Sequence, residues 1–261
     1  MVSVVENKEL WDGSYRWTAA GDEWSAAWGS VAMQWQGTIL PRVQRFLPTE
    51  TVLEIACGYG RWTQYLKKHC RRLIGVDLSG ECIGACQKRF AAATELSFFT
   101  NDGVSLAMVP DESVDFIFSF DSLVHADSKV LEGYLSQFKR VLKRDGAAFI
   151  HHSNNGECGS YSPRRIPKLR YALRMLGVLE FPHLRDLSVS AATVEQMAGR
   201  HGLACVGQEI HTWLTRRTYL DCFSVIVRSD SARAHGGNLI VRNPGFADEA
   251  LRWSAVSAIY S

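Results

Sequence analysis

The stretch Glu54-Ile55-Ala56-Cys57-Gly58-Tyr59-Gly60 gathers small residues into a turn that follows an apolar run and opens a helical pattern. Small side chains at such a turn let backbone amides approach a ligand closely at the edge of a sheet. Asp77 closes the next apolar run in Val76-Asp77-Leu78, where a carboxylate can accept hydrogen bonds from both hydroxyls of a ribose. Asp102, in Asn101-Asp102-Gly103, follows a third run and is placed to meet an adenine amino group, or else to serve as a turn carboxylate before Gly103. These residues predict a nucleoside cofactor held by Glu54, Ala56, Gly58, Gly60, Asp77, Leu78, Asp102 and Gly103. A nicotinamide dinucleotide fits less well, because the third glycine of Gly-x-Gly-x-x-Gly is missing.

A second group of residues could move a proton. In Phe120-Asp121-Ser122-Leu123-Val124-His125, a helical turn would put Asp121 and His125 on one face, where the carboxylate orients or charges the imidazole. His151 and His152 are adjacent on a later strand, so a regular strand turns at most one of them toward a cleft. His152 is the preferred one, and the bland alternative is that both are hydrogen-bonded residues closing the sheet.

The elements that must position these groups alternate between strands and helices, the pattern of a parallel sheet covered on both faces. Strands are expected at 51–56, 72–76, 96–99, 114–120 and 147–152, with helices at 61–68, 79–91 and 129–142. A helix at 191–201 ended by Gly202, then strands at 203–211 and 220–228, completes a doubly wound α/β fold with a mostly parallel, seven-stranded sheet. Residues 1–48 carry five of the eight tryptophans and read as an aromatic helical lid. Residues 49–228 form the main domain, with an insertion at 153–190 over the ligand site, and the sequence assigns no role to 229–261. The basic residues of the insertion, such as Arg164 and Arg185, either grip an anionic ligand or form a solvated helix face.

Composition narrows the function further. Twenty-nine basic and 27 acidic residues give a net charge of +2, too little field to attract nucleic acid. No apolar run approaches the roughly 18 residues of a membrane span, and residues 1–9 lack the apolar core of a signal peptide, so a cytoplasmic protein with a small-molecule or oligosaccharide partner is expected. The seven cysteines are scattered without a Cys-x-x-Cys pair and are read as reduced and structural.

Through Glu54-x-Ala56-x-Gly58-x-Gly60, Asp77, Asp102 and the block around Asp121, residues 49–152 resemble the class I S-adenosylmethionine-dependent methyltransferases. Ala56 departs from the family's usual glycine. The resemblance implies S-adenosylmethionine as cofactor, with Phe120 and the end of the fourth strand beside the transferred methyl. It also implies that Glu54 orders the loop. The Asn-Pro-Pro-Tyr block of many N-methyltransferases is absent, which favours an oxygen acceptor that needs a base, a service worth roughly 10²- to 10⁴-fold. The blocks 118–125 and 151–154, the Trp24-to-Trp35 helix and the segment 213–222 further resemble bacterial sugar and polysaccharide O-methyltransferases, including those of the mycobacterial methylmannose type. That implies a sugar hydroxyl as acceptor, held by Trp35, His151, Asn154 and Trp213, with His152 or His125 as base and Asp121 in support. Mg²⁺ held by Asp121, His125 and His152 is the minor alternative to a metal-free site. An N-methyltransferase acting on an amino sugar, and a cofactor-binding protein without catalysis, are the competing functions.

Overall fold

The computed structural model describes residues 4–158, 185–212 and 218–260. Its strands are β1 (Thr49–Ile55), β2 (Cys70–Asp77), β3 (Leu96–Thr100), β4 (Val114–Ser119), β5 (Leu142–Ser153), β6 (Leu203–His211), β7 (Asp221–Arg228) and β8 (Leu239–Asn243). They join one sheet in the order β3-β2-β1-β4-β5-β7-β6-β8. β1 to β5 run parallel, β7 is antiparallel to both β5 and β6, and β8 is parallel to β6. Among the described residues the sheet thus has eight strands where the sequence leads one to expect seven. β8 is short and its Leu239, Ile240 and Val241 are exposed, so it lacks the alternation that marks a half-buried strand.

Four longer helices, α1 (Gly80–Arg89), α2 (Ser128–Val141), α3 (Ala191–Arg200) and α4 (Phe246–Tyr260), cover the sheet together with short helical turns over 22–46. Their starts are written in the sequence. The Ser79, Asp127 and Ser190 side chains accept from the backbone N–H groups of Cys82, Val130 and Thr193, and such caps each contribute about 1 kcal/mol. One face of the sheet packs Leu53, Ile117 and Ile150 against Leu131, Phe138 and Met197 of α2 and α3. The other packs Val52, Phe118 and Phe149 against Trp28, Trp35, Ile83 and Phe246. Full burial of side chains of this size stabilises the fold by about 1.5–3 kcal/mol each.

The final helix, α4, belongs to this second layer. Arg42 donates to both Glu209 and Glu249, and Thr38 Oγ1 donates to Glu249 at 2.6 Å. A Cβ on Gly37 would lie 2.1 Å from the Trp253 ring, so only glycine lets α4 settle there. Among the described residues no helix is long and apolar enough to cross a membrane.

Candidate functional site

The strand order reverses between β1 and β4, and ligands of open α/β sheets bind at the carboxyl ends of the strands flanking such a switch point. A cleft of about 390 Å³ opens there. Its floor includes Ala56, Gly58, Asp77, Leu78, Gly103 and Phe120. Val4, Asn7, Trp11, Trp17 and Trp24, from the chain before β1, line its other side.

The loop after β1 has the shape of a backbone cradle. Gly58 and Gly60 adopt φ of 54° and 82°, a region nearly closed to residues with a Cβ. A Cβ on Gly60 would also meet the Phe90 ring at 2.5 Å. Ala56 sits at φ 56°, so the departure from glycine is accommodated at a backbone cost of roughly 1–2 kcal/mol. Ala56 and Cys57 both donate their N–H to the Val76 carbonyl. Asp77 completes the loop, accepting from Gly58 N at one oxygen and Ser79 N at the other, each at 2.9 Å. Burial raises the Asp77 pKa above the ordinary carboxylate value.

Glu54 lies beneath the loop and does not line the cleft. Burial pushes its pKa up to about 8, against the opposing hydrogen bond from Thr63 Oγ1. It orders the chain through Thr63. Gly60 likewise acts from below, through its turn. Asp102 takes the bland alternative, because its exposed carboxylate accepts from Val104 N and Ser105 N at 3.0 and 2.6 Å and is not part of the cleft.

Of the candidate acid–base residues, Asp121 and His125 line the cleft. They do not form the expected pair. Asp121 adopts φ 64°, which breaks any helical spacing, and its carboxylate accepts from Arg61 Nη2 at 2.9 Å. His125 ends a helical turn, Leu123–His125, and is half-buried 6.3 Å from the Trp11 ring centroid.

The preference for His152 is overturned. On β5 it shares the face of Ala148 and Ile150, under α2 and α3, while the cleft-forming Phe120 lies on the other face. Its ring nitrogens bond the Ser153 carbonyl and Ser224 Oγ at 2.8 Å each, and burial lowers its pKa to about 4. His151 is the neighbour on the cleft side, 4.9 Å from Phe120 between ring centroids. Asp121 N donates to its Nδ1 at 3.1 Å, and its Nε2 lies 3.7 Å from Asp221. Burial by itself would raise Asp221, but Arg185, bonded through Nε and Nη2, and His151 hold it far below the usual carboxylate range. The triplet of Asp121, His125 and His152 is not assembled, since His152 faces away, and Mg²⁺ finds no support there.

The acceptor-side aromatic and amide candidates are also redistributed. Trp35 is buried in the core, stacked on Tyr65 and His69. Asn154 is buried too, donating to the Tyr219 carbonyl and accepting from Ala191 N. Trp213 and most of the 153–190 insertion lie outside the described residues. Arg61 was not singled out by its sequence context, although it directly follows Gly60 and so had to emerge beside the loop.

A pH test follows from the buried groups. His152 and His211, lowered to about 4 and about 3 by burial, stay neutral in the fold but protonate below about 6.5 when unfolded. Each therefore removes about 1.4 kcal/mol of stability per pH unit as the pH falls from 6.5 toward 4. Glu54, raised to about 8, works oppositely between roughly 4.5 and 8, because the fold holds a proton that the unfolded chain has released. Urea midpoints measured from pH 7 to 4.5 are expected to fall, and to fall more steeply in Glu54→Gln, which lacks the compensating group. An equal or shallower slope in that variant contradicts this assignment.

Residues 52–146 match the profile of the methyltransferase domain family. The matched stretch covers about a third of the chain. It runs from within β1 through β4 and includes the glycine cradle and Asp77. The chain is 31% identical over 125 residues to the S-adenosyl-L-methionine-dependent Diels-Alderase iccD of Talaromyces variabilis, covering 45% of this chain and 42% of that one. It is 28% identical over 136 residues to phosphoethanolamine N-methyltransferase 1 of Triticum aestivum, covering 50% and 27%. It thus spans less than half the length of these relatives. In fold it is similar to magnesium protoporphyrin IX methyltransferase of Synechocystis, solved with bound SAH, at TM-score 0.54 and 14% identity over 87% of this chain and 100% of that one. A methyltransferase from Mesorhizobium loti superposes at TM-score 0.53 with 16% identity, covering 72% and 96%. The architecture around residues 52–146 is therefore the Rossmann-like α/β fold that these structures share.

Proposed function

We propose that this chain is an S-adenosylmethionine-dependent O-methyltransferase acting on a sugar hydroxyl. The observation that carries the cofactor part is the cradle itself: Gly58 and Gly60 in the left-handed region, with Asp77 fixed beside them at the switch point of the sheet. A nucleoside fits these groups, since Asp77 has lone pairs left after its two backbone bonds and Gly58 leaves its space open. Asp77 would hold the ribose, Leu78 and Gly103 the base, and Ala56 and Gly58 the chain leading to sulfur. The bound sulfonium would supply an electrophilic methyl group.

The chain's own residues supply position, dryness and a base. Trp11, Trp17 and Trp24 line the cleft, and aromatic faces stack on the apolar CH faces of a sugar. His125, the one of the three histidines that lines the cleft, takes the proton of the attacking hydroxyl. Phe120 and Trp62, with rings 5.5 Å apart, keep water from this end of the cleft.

Methyl transfer from isotopically labelled S-adenosylmethionine to neutral saccharides, amino sugars and phenols, read by mass with and without a chelator, tests the reading. Labelling of a neutral saccharide that survives chelation is expected. Labelling of amino sugars alone replaces it with N-methylation, which the wheat relative's name makes the second reading. Cofactor binding without any consumption overturns methyl transfer.

A further inference from the structure

Three buried donors beside the cleft have no acceptor among the described residues: Arg61 Nη1, Trp62 Nε1 and Trp17 Nε1. All three residues line the cleft, and they lie close together. The Arg61 guanidinium covers the Trp62 ring at 4.5 Å. A Cβ on Gly21 would touch both Trp17 and Arg61, at 3.4 and 3.5 Å. Trp17 also overhangs the cradle, 3.2 Å from the position of a Cβ on Gly58. Leaving one buried donor unsatisfied costs about 1–3 kcal/mol, more for a charged group, so three together call for a ligand that brings acceptors.

We infer that Arg61, Trp62 and Trp17 form a carboxylate subsite, which takes the α-carboxylate at the amino-acid end of the cofactor. The inference rests on the proposed S-adenosylmethionine site. Arg61 already gives Nη2 to Asp121, and its fork keeps Nη1 for a second carboxylate. A planar monoanion suits one guanidinium whose charge is partly balanced by Asp121, flanked by neutral indole donors; a phosphate dianion would be undercompensated. The location agrees. Trp17 overhangs Gly58 and Arg61 follows Gly60, so the donor group stands beside the part of the cradle proposed to hold the chain leading to sulfur.

Calorimetric titration with S-adenosylhomocysteine and its decarboxylated analogue, which lacks only this carboxylate, tests the subsite without turnover. The wild type is expected to bind S-adenosylhomocysteine about 10- to 100-fold more tightly than the analogue, as one or two charge-assisted hydrogen bonds allow. Arg61→Gln should erase most of that ratio while changing affinity for the analogue by no more than about threefold. Trp62→Phe, which removes one donor and keeps the ring, should reduce the ratio by about fivefold and guards against a folding defect in the arginine variant. Equal weakening of both ligands in the two variants overturns the subsite and makes these residues structural. A wild type that binds both ligands equally also overturns it, leaving the cofactor reading intact. No binding of S-adenosylhomocysteine to the wild type overturns both.

Discussion

Replacing His125 with alanine is expected to lower kcat on a hydroxyl acceptor by about 10²- to 10⁴-fold, the range over which a positioned base accelerates such a transfer. The basis is elimination by geometry. His152 spends both ring nitrogens on Ser153 and Ser224 under the opposite face of the sheet, and His151 accepts from Asp121 N at Nδ1, with Nε2 3.7 Å from Asp221. His125 is the histidine of the three that lines the cleft. His152→Gln should therefore keep turnover within about tenfold of wild type, while His125→Ala should retain cofactor affinity within about threefold, so that the loss falls on kcat. Steady-state rates paired with titration of S-adenosylhomocysteine check this. If His125→Ala turns over within tenfold of wild type, no base acts there, as an amine acceptor would permit.

Removing Asp77 should have the second large effect. Its two oxygens tie Gly58 N and Ser79 N together, so one carboxylate shapes the cradle, fixes the start of α1 and faces the cleft. Asp77→Ala would lose the contacts to the proposed ribose and leave two backbone donors without their partner. A drop in S-adenosylhomocysteine affinity of at least about 100-fold is expected, at 1.5–3 kcal/mol for each hydrogen bond to a charged group. Asp77→Asn retains one acceptor oxygen and should fall between the two. Thermal melts of the same proteins separate misfolding from lost contacts: the reading requires Asp77→Asn to remain folded at 25 °C and still bind more weakly. Unchanged affinity in a folded Asp77→Asn would place the nucleoside elsewhere.

Much of the frame was legible in the residues alone. Val52 to Ile55 and Ile74 to Val76 announce parallel strands because such strands are apolar on both faces. Ser79, Asp127 and Ser190 mark helix starts by the chemistry of their side chains. β8 and α4 were not legible, because their exposed apolar residues follow neither the period of a half-buried strand nor a clear amphipathic stripe. The Asp121–His125 pairing failed for a local reason: a positive φ at Asp121, invisible in a list of residue types, turned the carboxylate to Arg61.

The sequence by itself determined the glycine turn after β1, the acidic residue after β2 and the doubly wound sheet, because these depend on residue size, alternation and spacing along short stretches of chain. Tertiary structure alone decided which histidine meets the cleft, that Asp102 only closes a turn, and that Trp35 and Asn154 are core residues. Those outcomes depend on which face of a strand is covered by helices far away in sequence, and on hydrogen-bond partners such as Ser224, Tyr219 and Ala191 that only folding brings within reach.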